Sequence, residues 1–166
     1  MAQNFDVILH GGVLVNQDGE TRRDVGVRDG AIAEIGDLSH ASAGEKIACH
    51  GLHILPGVID TQVHFREPGM PHKEDLESGS RSAVLGGVTA VFEMPNTDPL
   101  TSNPEALADK VRRGDKRMHC DFAFWVGGTH ENARYLNELE LLPGAAGVKV
   151  FMGSSTGSLL IADDAG

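Results

Sequence analysis

The stretch Asp60-Thr61-Gln62-Val63-His64-Phe65-Arg66-Glu67-Pro68-Gly69 sets a carboxylate, an amide, an imidazole and a guanidinium at alternate positions. In an extended strand alternate residues share a face. Asp60, Gln62, His64 and Arg66 are therefore expected to point the same way. The apolar run from Ile54 to Ile59 feeds into them, which places the set where a buried strand leaves its sheet. An apolar core has no use for that combination, so it reads as a site.

Three more polar features follow apolar, strand-like runs. They are Glu93-Met94-Pro95-Asn96-Thr97, then Gly127-Gly128-Thr129-His130, then Lys149 among Val148, Val150 and Phe151. A lysine in an apolar strand is costly unless it is paired or chemically altered. Each feature also has an ordinary reading. His64 could be a hydrogen-bonded core histidine, Arg66 a surface partner of Glu67, and Lys149 a side chain that snorkels to water. Asn96 could cap the turn after Pro95, and Gly86-Gly87 reads as a helix end rather than a phosphate loop. The remaining histidines default to surface or turn positions. Four such coincidences at successive strand ends favour a site.

The elements that must position these residues fall into two regimes. Residues 1–55 hold short β-like pieces: Asp6–Val15, Asp24–Arg28, Ala31–Ile35, Lys46–Cys49 and His53–Leu55. Asp29-Gly30 is a two-residue hairpin signal between the second and third. This segment reads as a small, incomplete β-sandwich module. Over residues 56–166 the rhythm becomes strand, loop, helix. Strands are expected at Val58–His64, Val88–Met94, Cys120–Val126 and Gly147–Phe151. Helices are expected at Glu74–Leu85, with Leu76, Ser80, Ala83 and Val84 near one face, from Asn103-Pro104 to Arg113, and at His130–Leu139, with Ala133, Leu136 and Leu139 inward. Asn103 suits an N-cap and Pro104 the first helical position. Alternation at this spacing means parallel β/α units.

Four units are expected, whereas a closed eight-unit barrel needs about 250 residues. The α/β segment therefore reads as the first half of a (β/α)8 TIM barrel, with Ser158–Gly166 an interruption inside the fourth unit. The alternative is an open four-strand α/β sheet, which would leave an apolar edge strand uncovered. In such folds the loops after the strand C-termini build the site.

Composition narrows the class. The formal net charge of -10 argues against a nucleic-acid footprint. The two cysteines, Cys49 and Cys120, lie far apart in no CxxC pattern, which fits reduced, buried thiols in a cytoplasmic protein. No apolar run approaches the roughly 20 residues that span a bilayer, and the N-terminus lacks a basic-then-apolar signal.

The segments "PGVIDTQVHFREPG", "HKEDLESGSRSAVLGGVTAVFEMPNTDP" and "GVKVFMGSSTG" resemble the dihydroorotase branch of the cyclic amidohydrolases. The resemblance covers nearly the whole chain. Its "FREPG" and "MPNT" motifs are those that set dihydroorotases apart from hydantoinases and allantoinases. It implies a metal-dependent hydrolase with a β-sandwich module ahead of a TIM barrel. The implied reaction interconverts carbamoyl aspartate and dihydroorotate in pyrimidine biosynthesis, with one or two zinc ions at the barrel mouth.

The resemblance also implies roles. His64 matches the second histidine of a metal-binding His-x-His pair, and Lys149 the lysine that becomes N6-carboxylysine and bridges the ions. Arg66 and Asn96 match residues that hold the substrate carboxylate; Asp60 matches a strand-one aspartate expected to orient its neighbours. Two departures stand out. Gln62 replaces the first histidine of the pair, and an amide oxygen is a weaker zinc ligand than imidazole. The family's catalytic aspartate and later histidines belong to strands beyond this chain, so no catalytic residue is assigned and the chain alone is expected to be inactive. The expected partners are a small-molecule substrate and either a second copy or aspartate carbamoyltransferase. The competing readings are a non-catalytic scaffold subunit of that enzyme, favoured by Gln62, and a hydantoinase or allantoinase.

Overall fold

The computed structural model describes residues 4–153 and 159–161. The chain divides into two compact units, Met1–Pro56 and Gly57–Gly166. The first contains β1 (Asn4–His10), β2 (Val13–Asn16), β3 (Gly19–Arg22), β4 (Asp24–Arg28), β5 (Ala31–Gly36), β6 (Ser42–Ala48) and β7 (His53–Ile54). They form two sheets, ordered β5-β4-β1-β6 and β3-β2-β7. The single strand expected over Asp6–Val15 is two, because Gly11 turns the chain at φ 76. Asp24 holds that break: one carboxylate oxygen accepts from Gly11 N–H at 3.0 Å and the other from Leu38 N–H at 3.1 Å. Asp29 and Gly30 both adopt positive φ, 53 and 73, as a tight hairpin between β4 and β5 requires. Strand β3 was not expected; it is exposed throughout and carries no apolar pattern. Phe5, Ile8 and Leu38 form this unit's buried cluster.

The second unit runs β8 (Val58–Val63), α1 (Leu76–Leu85), β9 (Val88–Glu93), α2 (Pro104–Gly114), β10 (Asp121–Gly127), a 3-10 turn (Ala133–Tyr135), α3 (Leu136–Leu139) and β11 (Ala145–Lys149). Its sheet is ordered β11-β10-β9-β8 with every pairing parallel. This is the β/α rhythm of a TIM barrel's opening half. The core between sheet and helices consists of Phe65, Leu76, Val91, Leu107, Phe124, Val126 and Leu139.

Local chemistry explains the helix limits. Asp75 accepts from Ser78 N–H at 2.7 Å, so α1 starts two residues later than expected. Asn103 accepts from Ala106 N–H at 2.9 Å ahead of Pro104. Gly87, at φ 88, takes the left-handed position after α1. Two face assignments need correction. Val84 is exposed, and Ala133 is exposed because its segment winds as a 3-10 turn rather than a continuous helix. Phe151 lies beyond β11.

Two expectations about β8 also change. It is not a buried strand: as a sheet edge among the described residues it leaves Val58 56% and Ile59 59% exposed. Nor does its alternation carry through to Arg66, because the strand stops at Val63 and its register against β9 shifts between Asp60 and Val63. Both cysteines are free, with Cys49 buried and Cys120 only half-buried. The expected interruption at Ser158–Gly166 lies outside the described residues except for 159–161. No helix among the described residues is long and apolar enough to cross a membrane.

Candidate functional site

Two loops lock together where β8 and β9 end. Met94 N–H donates to Val63 O at 3.0 Å, and Asp98 N–H donates to Pro68 O at 3.1 Å. Gly69, at φ 100, lies so close to Asp98 that a Cβ would stand 2.6 Å from the Asp98 carbonyl oxygen. Only glycine fits that approach. The loop carrying His64 and Arg66 is thereby fixed on the loop carrying Asn96.

Within this frame His64 is half-buried and hydrogen-bonded by the Asn96 side chain, which is itself buried. Burial lowers the His64 pKa from its ordinary value, the charges of Arg66, Lys110 and Lys149 lower it further, and the Asn96 contact works in the opposite sense. The imidazole is held towards its neutral form, which is the ligating form. Asn96 thus stands against the imidazole rather than only capping the turn after Pro95.

Arg66 adopts a left-handed φ of 65. Its Nη1 is buried and, among the described residues, has no hydrogen-bond partner. The surface pairing with Glu67 does not occur. Glu67 turns the other way and is gripped by Arg117, whose Nη1 lies 2.8 Å from Oε1 and Nη2 3.1 Å from Oε2. Glu67 Oε2 also accepts from Leu76 N–H at 3.1 Å.

Asp60 and Gln62 are exposed on β8, and Asp60 Oδ1 accepts from Gln62 N–H at 3.0 Å. That bond lies where the register of β8 against β9 shifts. Lys149 ends β11, half-buried, with Nζ 5.2 Å from the centre of the Phe151 ring. It pairs in register with Gly127 of β10, and Trp125 pairs with Gly147. Trp125 and Lys149 therefore share the face opposite the helices. Trp125 crosses that face to donate to Thr61 O of β8 at 2.9 Å and meets Phe92 edge-on.

Sequence reasoning missed Asn132, Lys110 and the pairing of Glu93. Asn132 knits the loops after β9 and β10, donating to Ser102 O at 2.7 Å and Gly127 O at 2.8 Å and accepting from Thr129 N–H at 2.8 Å. Glu93, at the end of β9, meets Lys110 of α2 at 2.7 Å. A lysine amid the apolar spacing of Leu107, Val111 and Gly114 was the available signal for that pair. A cavity of about 570 Å³ beside these loops is lined by Ser102, Asn103, Thr129, His130, Glu131 and Leu159, among others, and by neither His64 nor Arg66.

The metal reading can be weighed against these groups. Among the described residues no three His, Cys, Asp or Glu side chains come together as a metal set. The neutral His64 imidazole suits a divalent cation. The Arg66, Lys110 and Lys149 charges around it do not, unless Lys149 becomes an anion by carboxylation. With that modification the donor chemistry fits.

Comparison with known proteins adds the family. Residues 53–156 match the model of the Amidohydrolase family. The chain is 39% identical over 153 residues to an allantoinase of Deinococcus radiodurans, covering 92% of this chain and 34% of that protein. It is 39% identical over 133 residues to a dihydroorotase of Methanothermobacter thermautotrophicus, covering 78% of this chain and 29% of that protein. The solved L-hydantoinase (dihydropyrimidinase) from Arthrobacter aurescens superposes with a TM-score of 0.87 at 34% identity, over 95% of this chain and 35% of that one. The chain thus spans about a third of the length of the curated relatives it matches. These matches support the cyclic amidohydrolases without singling out the dihydroorotases, since an allantoinase and a dihydroorotase match at equal identity.

Proposed function

The chain belongs to the amidohydrolase family, and from that membership we propose that the complete protein hydrolyses the ring amide of a small cyclic substrate. The ring we favour carries a carboxylate, as dihydroorotate does. The observation that carries this reading is Arg66: a buried guanidinium nitrogen with no partner among the described residues, two positions from His64. An uncompensated donor of this kind is stabilised by an anion, and a guanidinium meets a carboxylate with two parallel hydrogen bonds.

In this reading the residues of the chain divide the work. Arg66 binds and orients the substrate anion. Asn96 holds the His64 ring in place, as a second partner commonly does for a ligating histidine. Trp125 and Phe92 give the inner face an apolar floor. His64, and Lys149 once carboxylated, would hold a divalent metal, zinc being the expected one; Gln62 would contribute weakly. Such a metal, when bound, supplies an acidified water and polarises the ring carbonyl.

One other reading has an observation behind it. Relatives named allantoinase are 39% and 41% identical to this chain over more than nine-tenths of its length. An uncharged ureide ring is therefore the second candidate. Turnover of dihydroorotate, allantoin and hydantoin by the complete protein separates the two. Preference for dihydroorotate supports the carboxylate reading, and preference for either uncharged ring replaces it.

A further inference from the structure

Arg66 is not at ease where it stands. A left-handed φ in a residue other than glycine persists only when the surroundings over-determine it. Helix α2 and the turn that follows supply that constraint. Lys110 lies against Glu93, and the Glu93 carboxylate is faced by the Arg66 backbone N–H. On the other side the Arg66 carbonyl accepts from Met70 N–H at 2.9 Å. The next residue, Glu67, is almost buried, and its carboxylate is held by both Arg117 nitrogens, by Arg113 Nη1 at 3.7 Å and by Leu76 N–H. Lys110, Arg113 and Arg117 recur at intervals of three and four, so one side of α2 and its continuation reaches across to the loop after β8.

We propose that Arg117 is a positioning residue: by its two-pronged grip on Glu67 it fixes the loop that aims the Arg66 guanidinium at the substrate anion. The inference rests on reading Arg66 as the anion-binding cation. The grip must be two-pronged because two parallel hydrogen bonds set the orientation of the Glu67 carboxylate as well as its distance, whereas a single ammonium sets only distance. Arg117 is 39% exposed. Replacing it therefore opens no cavity, and the effect falls on the loop rather than on the core.

The test uses the complete protein with Arg117→Lys, Arg117→Ala and Glu67→Gln. Amide hydrogen exchange is read at Leu76 and across residues 64–70, and KM and kcat are measured separately for dihydroorotate and for hydantoin, which lacks the carboxylate. The expected result for Arg117→Ala is exchange faster by about tenfold in that segment alone. KM for dihydroorotate should rise by about tenfold, with kcat within about threefold and the hydantoin KM unmoved. Arg117→Lys should fall between parent and alanine variant, and Glu67→Gln should follow the alanine variant in exchange. Unchanged exchange overturns the proposal. So does an equal loss on both substrates, which would mean Arg117 merely supports the fold. If the parent turns over neither ring, the functional reading fails, and exchange alone decides: faster exchange upholds the grip on the loop and unchanged exchange removes it.

Discussion

The Lys110 ammonium lies 2.7 Å from Glu93 Oε2 with each side chain only 1% exposed. Lys110 also donates to Met94 O at 3.1 Å and stands over the Phe124 ring. The two form a close ion pair with almost no water around them. Burial pushes the Glu93 carboxyl up and the Lys110 ammonium down, and the attraction between the two groups opposes both shifts. Removing one partner strands the other in a dry site. Lys110→Met should therefore cost about 3–5 kcal/mol, and adding Glu93→Leu should return most of it. Urea unfolding of the two variants checks this; a single variant as stable as the parent would show that the pair is not buried in solution.

Glu67 gives the protein a pH signature. Burial raises its pKa, but hydrogen bonds from Arg117 and Leu76, with the charges of Arg117 and Arg113, outweigh that and leave it below its ordinary 4.5. A carboxylate depressed on folding adds stability that is fully present above the unfolded value and is lost as pH falls through the folded one. The stability difference between the parent and Arg117→Ala should therefore be largest above about pH 5 and should shrink towards pH 3. Urea midpoints at the two pH values measure it. A difference that stays constant would detach Arg117 from Glu67.

Lys149 should carry a carbamate when the complete protein is loaded with metal. Native mass measurement would show the added carbon dioxide, and small carboxylic acids should restore activity to Lys149→Ala. An unmodified ammonium in an active, metal-loaded protein would contradict the assignment.

Gln62 should weaken one metal position. Its amide offers a neutral oxygen where an imidazole nitrogen would bind zinc well. Gln62→His in the complete protein should retain more zinc after dialysis, with equal or higher hydrolysis. Two zinc ions already held by the unmodified protein would mean that other ligands compensate.

The parts of this fold set by local chemistry were legible in the sequence. Asn103-Pro104 announced α2, Asp29-Gly30 the hairpin between β4 and β5, and the apolar runs each strand of the parallel sheet. The strand-end residues were legible as a group, because alternation and polarity mark them. Their orientation was not. Period-two reasoning carries to the strand's last residue and no further, and β8 shifts register and ends at Val63 before His64 is reached. The long-range ties were hidden for another reason. Glu67 and Arg117 stand 50 residues apart, and nothing in either neighbourhood names the other. Arg66 beside Glu67 suggested a local pair, whereas the left-handed turn at Arg66 sends the two side chains apart.

The central claim is that Arg66 gives a cyclic amide hydrolase its preference for an anionic ring. The most direct measurement is kcat/KM for dihydroorotate, allantoin and hydantoin in the parent and in Arg66→Lys, both as the complete protein. Lysine keeps the charge but loses the fork, so transition-state binding of dihydroorotate should fall by about 1.5–3 kcal/mol. The account predicts that the parent prefers dihydroorotate and that Arg66→Lys loses this preference while its turnover of the uncharged rings is unchanged. Equal turnover of dihydroorotate by parent and variant, or a parent that prefers an uncharged ring, would contradict it.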